Sequence, residues 1–336
     1  MDHLFNKSLL GVSLLALSLA LTGCGENNED NSNNEGNSST EVNSNNENTA
    51  EADERSEEQT LTDSLGNDVV IPANPERIIA SYLEDYLVAL DVTPVAQWSI
   101  SEGAGIQGYL QEDLNGVETI PFDLPFEAVT SFNPDLHIVG SGDTVSDGKY
   151  EQYAKIAPTY VVATENSENW RENLTEIAEV LNLTDKADQV LENYDKKAEE
   201  SQEKIKNAIG EDPVAAIWLT GDQFFVVSEG LSSGAVLYGD LGLSSPEVVK
   251  EISKTATADW SPISLEELAE LETEHIFLIN SNQEDGLELL EDPLWQNIPA
   301  VKNNHVYEFE STSSWLYNGP VANEQIIDHV LDSVVE

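Results

Sequence analysis

The chain is poor in cysteine and in basic residues. Its 336 residues include one cysteine, Cys24, so an internal disulfide is excluded. It has 14 lysines and arginines against 64 aspartates and glutamates, which gives a formal net charge of −50. A field of that sign repels nucleic acid and anionic membrane surfaces, so neither is an expected partner. Because an acidic, lysine-poor surface is typical of secreted proteins from saline habitats, acidic clusters are weak evidence for metal sites here.

Long apolar runs are also scarce. The longest, Leu9 to Leu21, is too short to span a membrane comfortably and has the length of a signal-peptide core. The residues Leu21-Thr22-Gly23-Cys24 that end it resemble the lipobox of bacterial lipoproteins. That resemblance implies cleavage before Cys24 and lipidation of its sulfur. We therefore expect a signal peptide over 1–23 and an anchor on the outer face of the cell membrane.

The next segment has almost no large apolar residue and is dominated by Asn, Glu, Ser and Asp. Such a composition cannot bury enough surface to order itself. Directly after a lipidated cysteine, it predicts a flexible tether over residues 24–59 that holds the folded part away from the membrane.

From residue 60 onwards, short apolar runs alternate with segments of helical periodicity. A hairpin pattern around Gly66-Asn67 is followed by strand and helix patterns in turn up to residue 182. The same alternation resumes at residue 211 and ends in a helix over Val321 to Val334. Alternation of this kind favours an α/β fold with mainly parallel sheets.

A long helical pattern separates these two regions. Apolar residues recur at helical spacing from Asp185 to Ile209, and Gly210 with Pro213 ends the pattern. A helix of that length spans roughly 37 Å, which is too long for an ordinary crossover. We expect an N-terminal lobe over 60–182, a linking helix over 183–210 and a C-terminal lobe over 211–336.

The two lobes contain an internal sequence repeat. The run from Phe126 to Asp135 aligns without a gap with the run from Leu265 to Glu274, and each continues into an apolar strand. Glu127 and Glu266 occupy the same place in the two copies. Repeated units of this kind predict two lobes related by an approximate two-fold axis.

The folded region resembles the iron(III)-siderophore substrate-binding proteins of ABC importers, the bilobal type with a rigid helical backbone. Besides the long helix, the resemblance rests on the order and spacing of several short motifs over residues 60–336. They are Asp63-Ser64-Leu65-Gly66-Asn67, Pro75-Glu76-Arg77-Ile78-Ile79, Phe126-Glu127-Ala128-Val129, Asn133-Pro134-Asp135-Leu136, Ser264-Leu265-Glu266-Glu267-Leu268, Asp292-Pro293-Leu294-Trp295 and the run from Ile298 to Tyr307.

This resemblance implies a mechanism. A ferric siderophore binds between the lobes, the linking helix limits closure to a small hinge motion, and one glutamate on each lobe docks onto arginines of the membrane permease. The matching positions are Glu127 and Glu266, whose carboxylates suit guanidinium groups. The siderophore itself coordinates the iron, so we expect no cofactor and no protein metal ligand. We also expect the chain to act as a monomer.

Ligands of open α/β sheets bind beyond the carboxyl ends of the strands, and this rule selects the candidate cleft residues. They are Tyr82, Trp98, Phe122, Ser141, Lys149, Trp218, Ser232, Ser233, Trp260, Trp315 and Tyr317. Among these, Lys149 is the one cationic residue. So few positive charges favour a neutral or cationic ligand over a trianion, and hence a hydroxamate or mixed citrate-hydroxamate siderophore.

Other functions remain as alternatives. The chain could instead bind haem, a corrinoid or a metal ion directly. The histidines, however, show no ligand spacing, and His137 and His275 lie within or at the start of apolar strands. An enzyme is not expected, because a phosphate-binding glycine loop, a cysteine nucleophile and a Gly-x-Ser-x-Gly elbow are all lacking.

Overall fold

The structure, a computed structural model, describes residues 58–101, 104–162, 169–282 and 287–335, which belong to one compact unit. The predicted signal peptide, Cys24 and nearly all of the predicted tether lie outside these residues. The first described strand begins at Gln59, one residue before the expected start of the N-terminal lobe. None of the described helices combines the length and the apolarity that crossing a bilayer requires.

Strands and helices alternate through most of the described chain. The strands are β1 (Gln59–Thr62), β2 (Asp68–Ile71), β3 (Ile78–Ile79), β4 (Gln97–Ser99), β5 (Thr119–Pro121), β6 (Leu136–Val139), β7 (Thr159–Val161), β8 (Val214–Thr220), β9 (Gln223–Val227), β10 (Trp260–Ile263), β11 (His275–Asn280) and β12 (Val306–Glu310). The helices are α1 (Glu84–Ala89), α2 (Gln111–Leu114), α3 (Phe126–Ser131), α4 (Tyr150–Tyr153), α5 (Trp170–Val180), α6 (Thr184–Ile209), α7 (Ser232–Gly234), α8 (Glu247–Ser253), α9 (Leu265–Ala269), α10 (Leu287–Leu290), α11 (Pro293–Gln296), α12 (Pro299–Lys302) and α13 (Pro320–Val334). Short 3₁₀ turns cover Gly108–Leu110, Gly142–Val145 and Ser314–Leu316, and a π-helical turn covers Ala235–Asp240.

The first sheet is parallel throughout. Strand β6 lies between β3 and β7, and β4 pairs with β5. A parallel bridge between Ile79 and Ala96 joins the two groups, so the order is β5-β4-β3-β6-β7. The predicted hairpin β1-β2 is confirmed as an antiparallel pair, and Ser64 N donates to Val161 O at 3.0 Å beside this sheet.

The second sheet is mixed, with the order β10-β9-β8-β11-β12. Strands β8, β11 and β12 are parallel, whereas β9 and β10 are antiparallel to their neighbours. The reason lies in the connection between β8 and β9, which is only Gly221-Asp222. A two-residue turn can join only antiparallel strands, and Gly221 supplies the positive φ of 56° that such turns favour. The expectation of mainly parallel sheets therefore describes the first lobe better than the second.

Helix α6 is the long helix that the sequence predicts. Its 26 residues correspond to about 39 Å, and it ends at Gly210, whose φ of 65° is unfavourable for other residues. One face is buried and includes Tyr194, Ala198 and Ile205. This face packs against α5, the helix that immediately precedes α6, and against α13, the last described helix.

The two sheets share one continuous core. The largest cluster of buried apolar residues includes Leu87 of α1, Phe277 of β11 and Ile327 of α13. Helix α13 contacts α1 of the first lobe as well as α6. Because a close-packed core resists deformation, we expect this arrangement to allow only small relative displacements of the lobes.

Candidate ligand-binding cleft

A cavity of about 350 Å³ opens where strands of the first sheet end, facing residues that follow β12. Its lining residues are Ser81, Tyr82, Leu83, Asp85, Tyr86, Trp98, Gln107, Tyr109, Phe122, Leu124, Ile138, Val139, Gly140, Ser141, Thr144, Asn173, Asp259, Leu316, Tyr317 and Asn318. Most of them lie in or just after β3, β4, β5 and β6. The cavity is therefore at the carboxyl edge of the sheet, where open α/β sheets bind ligands.

Aromatic rings form a continuous wall along this cavity. The ring of Tyr82 lies 5.0 Å from that of Trp98 and 6.4 Å from that of Tyr317, and Tyr317 lies 4.8 Å from Tyr109. Tyr82 is 53% exposed and Phe122 is 59% exposed, although both are large apolar side chains. Exposed aromatic surface gathered in a concavity is typical of a binding site.

The backbone of Tyr82 is held in an unfavourable conformation. Its φ is 67°, in the left-handed region that costs a bulky residue about 1–2 kcal/mol. The next residue closes a turn, with Leu83 N donating to Ala80 O at 2.9 Å. Local strain of this kind concentrates at functional sites, and here it belongs to a residue that lines the cavity.

Asp85 joins the first lobe to the start of α13. Its carboxylate accepts hydrogen bonds from the backbone N–H groups of Val321 and Ala322, both at 2.9 Å, and from the Tyr109 hydroxyl at 2.9 Å. A Cβ at Gly319 would lie 2.5 Å from the carboxyl carbon of Asp85, so only glycine allows this approach. Burial raises the pKa of Asp85 to about 6, although the hydrogen bonds favour its ionised form.

The neighbouring Glu84 is fully buried behind the aromatic wall. One of its carboxyl oxygens accepts a hydrogen bond from Trp98 N at 2.6 Å, which fixes the strand that presents the Trp98 ring. The other oxygen, Oε2, has no hydrogen-bond partner within the described residues. Burial raises the pKa of Glu84 to about 8, so this carboxyl is mostly protonated at neutral pH.

The cavity carries acidic but not basic side chains. Asp85 and Asp259 line it, and no lysine or arginine does so in the part of the chain that the structure describes. Asp259 is half-buried, and its backbone O accepts a hydrogen bond from Ser228 N at 3.0 Å. The pKa of Tyr82 is raised, first by burial and then by the negative charges of Asp259 and Glu84. These carboxylates therefore act electrostatically on one of the aromatic side chains that line the cavity.

The structure brings five of the eleven candidate residues together around this cavity. They are Tyr82, Trp98, Phe122, Ser141 and Tyr317. Each lies at or after the carboxyl end of a strand, and the first four come from the first lobe. Ser141 also accepts a hydrogen bond from Asp143 N at 3.2 Å and so begins the short 3₁₀ turn behind the cavity.

Three of the other six candidates are buried in the core. Trp315 is fully buried, with its ring 5.0 Å from that of Phe277 and 5.2 Å from that of Phe309. Ser232 and Ser233 are also buried, in α7. Their place after β9 satisfies the strand-end rule, but β9 runs antiparallel to β8, so its carboxyl end points away from the parallel edge.

The remaining three candidates lie outside the cavity wall. Trp218 and Trp260 contact each other at 6.0 Å, and Trp218 Nε1 donates to Ser281 Oγ at 2.8 Å. Lys149 is exposed and immediately precedes α4. The only cationic candidate is therefore not part of the cavity.

Several lining residues are not among those that the sequence predicts. Tyr86 lies within α1, four residues after Tyr82, so the strand-end rule did not select it. Tyr109 lies in a 3₁₀ turn well beyond the end of β4, so the strand-end rule did not select it. Asp259 comes from the segment before β10, whose antiparallel orientation the sequence did not reveal.

The histidines of the described residues do not form a metal centre. His137 is buried against Tyr153 at 5.1 Å, and burial lowers its pKa to about 4, so it stays neutral. His275 stacks on His305 at 4.7 Å, and its Nδ1 lies 3.1 Å from the Tyr307 hydroxyl. Within the described residues, no group of three or more His, Cys, Asp or Glu side chains could hold a metal ion.

Glu127 and Glu266 occupy equivalent places in the two lobes. Each is exposed and is the second residue of a short helix, α3 or α9. Each helix is followed by a buried strand, β6 or β11, that begins at the same aligned position. The helix that carries Glu266 starts with a capping box between Ser264 and Glu267, whereas α3 starts after Pro125 without a side-chain cap.

The fold and the cleft define a substrate-binding protein of the bilobal type. The chain matches the model of the family described as periplasmic binding protein over residues 113–312, and it belongs to that family. The family resemblance seen in the sequence is thereby confirmed.

Individual members of the family are similar to this chain over most of its length. The chain is 29% identical over 343 residues to the iron(3+)-hydroxamate-binding protein FhuD of Bacillus subtilis (strain 168), covering 100% of both chains. It is 26% identical to the iron(3+)-hydroxamate-binding protein YxeB of the same organism, over 85% of this chain and 88% of that protein. A solved FhuD-fold structure from Bacillus subtilis, a component of a Fep/Fec-like ferrichrome ABC transporter, aligns with a TM-score of 0.70, 26% identity and coverage of 82% of this chain and 100% of that one.

Proposed function

We propose that this protein captures a ferric siderophore outside the cytoplasm and delivers it to the permease of an ABC importer. The observation that carries the proposal is the aromatic cavity between the lobes, formed by Tyr82, Trp98, Tyr109, Phe122 and Tyr317. The named relatives support it, because two of them are iron(3+)-hydroxamate-binding proteins.

The chemistry of the cavity suits such a cargo. A siderophore fills the coordination sphere of iron(III) with its own oxygens, so the protein needs no metal ligand. The outside of the complex is largely carbon, which the rings can cover, while Ser141 and Gln107 offer hydrogen bonds to peripheral oxygens. A cavity without a lysine or arginine on its described wall favours a hydroxamate or mixed citrate-hydroxamate complex over a trianionic one.

Delivery requires the lobes to be held at a suitable distance from the permease and in a fixed orientation to it. In this proposal, lipidated Cys24 and the tether over 24–59 keep the lobes (60–182 and 211–336) near the permease, and the helix region 183–210 limits their closure. The protein acts as a monomer and as a carrier rather than an enzyme. The exposed carboxylates of Glu127 and Glu266 dock onto permease arginines.

A ligand panel tests the cargo. Ferric trihydroxamate, ferric citrate, a ferric triscatecholate, haem, a corrinoid and free iron(III) are each titrated while intrinsic tryptophan fluorescence and the melting temperature are recorded. We expect saturable quenching by the ferric trihydroxamate at sub-micromolar concentration and a raised melting temperature. If haem or the corrinoid alone raises the melting temperature, the siderophore assignment is wrong.

Charge reversal tests the docking surface. Changing both Glu127 and Glu266 to lysine should abolish ferric-siderophore uptake by cells and leave the affinity of the purified protein unchanged, because neither residue lines the cavity. Glu151 and Glu288 are matched controls, since each is also the exposed second residue of a short helix. Reversing both controls changes the net charge equally and should leave uptake intact. Loss of uptake in both double variants would contradict specific docking.

A further inference from the structure

The charges of the cavity wall are unbalanced. Two carboxylates line it: Asp85 belongs to α1 and Asp259 to the segment between α8 and β10. The rings of Tyr82, Trp98 and Tyr317 line the same cavity. Aromatic faces carry the negative end of the ring quadrupole and attract cations. The described wall thus presents two kinds of group that attract positive charge and no basic side chain that would attract negative charge.

The two carboxylates are not equivalent. Asp85 is 2% exposed, and two backbone N–H groups at the start of α13 and the Tyr109 hydroxyl donate hydrogen bonds to it. Its charge therefore stabilises the junction with α13. Asp259 lines the cavity and is only half-buried, and after burial its negative charge is the next cause of the raised pKa of Tyr82. Asp259 is the carboxylate that can act on a bound ligand.

Building on the function proposed above, we propose that the cleft prefers ferric hydroxamates that carry a positive charge, such as a protonated terminal amine, and that Asp259 determines this preference. The ammonium group lies between the carboxylate of Asp259 and the ring of Tyr82, while the rest of the complex contacts the aromatic wall. Attraction to a nearby carboxylate and to an aromatic face adds to the contacts that every ferric hydroxamate makes.

The local effect of Asp259 on a bound cation must be separated from the electrostatic effect of the whole protein's net charge. A net charge of −50 attracts any cation, whatever the sequence of the cavity. At physiological salt, however, exposed charges are screened beyond about 8 Å, whereas a carboxylate at the cavity wall acts at close range. Asp188 provides the matched control, because it is exposed on α6 and does not line the cavity.

The experiment compares three complexes that share the same iron-binding core and differ in the charge of one terminal group. A linear ferric trihydroxamate that ends in a primary amine is cationic, its N-acetyl derivative is neutral and its N-succinyl derivative is anionic. Each is titrated at physiological salt into the full-length protein in mild detergent, with fluorescence quenching as the readout. The proteins are the wild type, Asp259→Asn, Asp259→Glu and Asp188→Asn.

We expect the wild type to bind the cationic complex most tightly and the anionic complex least tightly. Asp259→Asn should weaken the cationic complex about fivefold, leave the neutral complex within about twofold and strengthen the anionic one. Asp259→Glu and Asp188→Asn should retain the wild-type order.

Equal affinity of the wild type for the three complexes would overturn this inference but leave the proposed function intact. The inference would also be wrong if Asp259→Asn weakened all three complexes equally, because that result indicates a structural role. If none of the three bound the wild type, the proposed function would fail as well.

Discussion

Replacing Glu84 with glutamine should make the protein more resistant to alkaline unfolding. The ordinary pKa of this carboxyl is 4.5, and burial raises it to about 8 in the folded protein. The folded state therefore holds a proton that the unfolded state releases. The stability that this proton contributes is fully present below the unfolded pKa and is lost as the pH rises through the folded pKa.

The size of the effect follows from the window between the two pKa values. Each pH unit within it costs about 1.4 kcal/mol, so the free energy of unfolding should fall by about 4 kcal/mol over three units, from about pH 5 to about pH 8. Glutamine resembles the protonated carboxyl, keeps an acceptor for Trp98 N and cannot ionise. The Glu84→Gln variant should therefore lose this part of the pH dependence.

Urea unfolding followed by tryptophan fluorescence at several pH values measures this difference. The exposed Glu112 is the control, because Glu112→Gln changes the net charge equally without removing a buried carboxyl. We expect the control to follow the wild type at every pH and Glu84→Gln to diverge progressively above about pH 5. Parallel curves for Glu84→Gln and the wild type would refute the assignment of a buried, protonated carboxyl.

Two further substitutions test the junction with α13 and the ligand wall. Gly319→Ala should lower the free energy of unfolding in urea by about 1–3 kcal/mol, because the new Cβ would displace Asp85. Gly230→Ala is the control, since a Cβ there meets open space, and equal effects of the two substitutions would contradict the close approach of Gly319 to Asp85. Tyr82→Ala should weaken ferric-trihydroxamate binding about tenfold or more in the quenching titration, and Lys149→Ala should change the affinity by less than about twofold. A larger loss of affinity in Lys149→Ala than in Tyr82→Ala would place the ligand outside the cavity described above.

The elements that could be predicted from the sequence are those whose signals are local. The helix α6 follows from regular apolar spacing and from Gly210, and the hairpin β1-β2 follows from its turn residues. The strand-end rule identified Tyr82, Trp98 and Phe122, because the first sheet is parallel and its strands end at one edge. The antiparallel orientation of β9 went unpredicted, although Gly221-Asp222 between two apolar runs is a hairpin signal.

The features that could not be predicted depend on contacts between distant parts of the chain. Trp315 and Tyr317 lie two residues apart in one aromatic segment, yet packing against β11 and β12 buries the first and leaves the second at the cavity. Two of the three partners of Asp85, the backbone N–H groups of Val321 and Ala322, are more than two hundred residues away in α13. In a chain with 64 acidic residues, no local signal distinguishes Asp85 from an exposed carboxylate.

Anomalous diffraction at the iron absorption edge tests the central claim most directly. Crystals grown with a ferric trihydroxamate should show one iron peak inside the cavity, beside the aromatic wall that includes Tyr82 and Tyr317, with no protein side chain coordinating the metal. A strong peak elsewhere, for example beside the stacked rings of His275 and His305, would contradict the account, as would an iron bound directly by protein ligands.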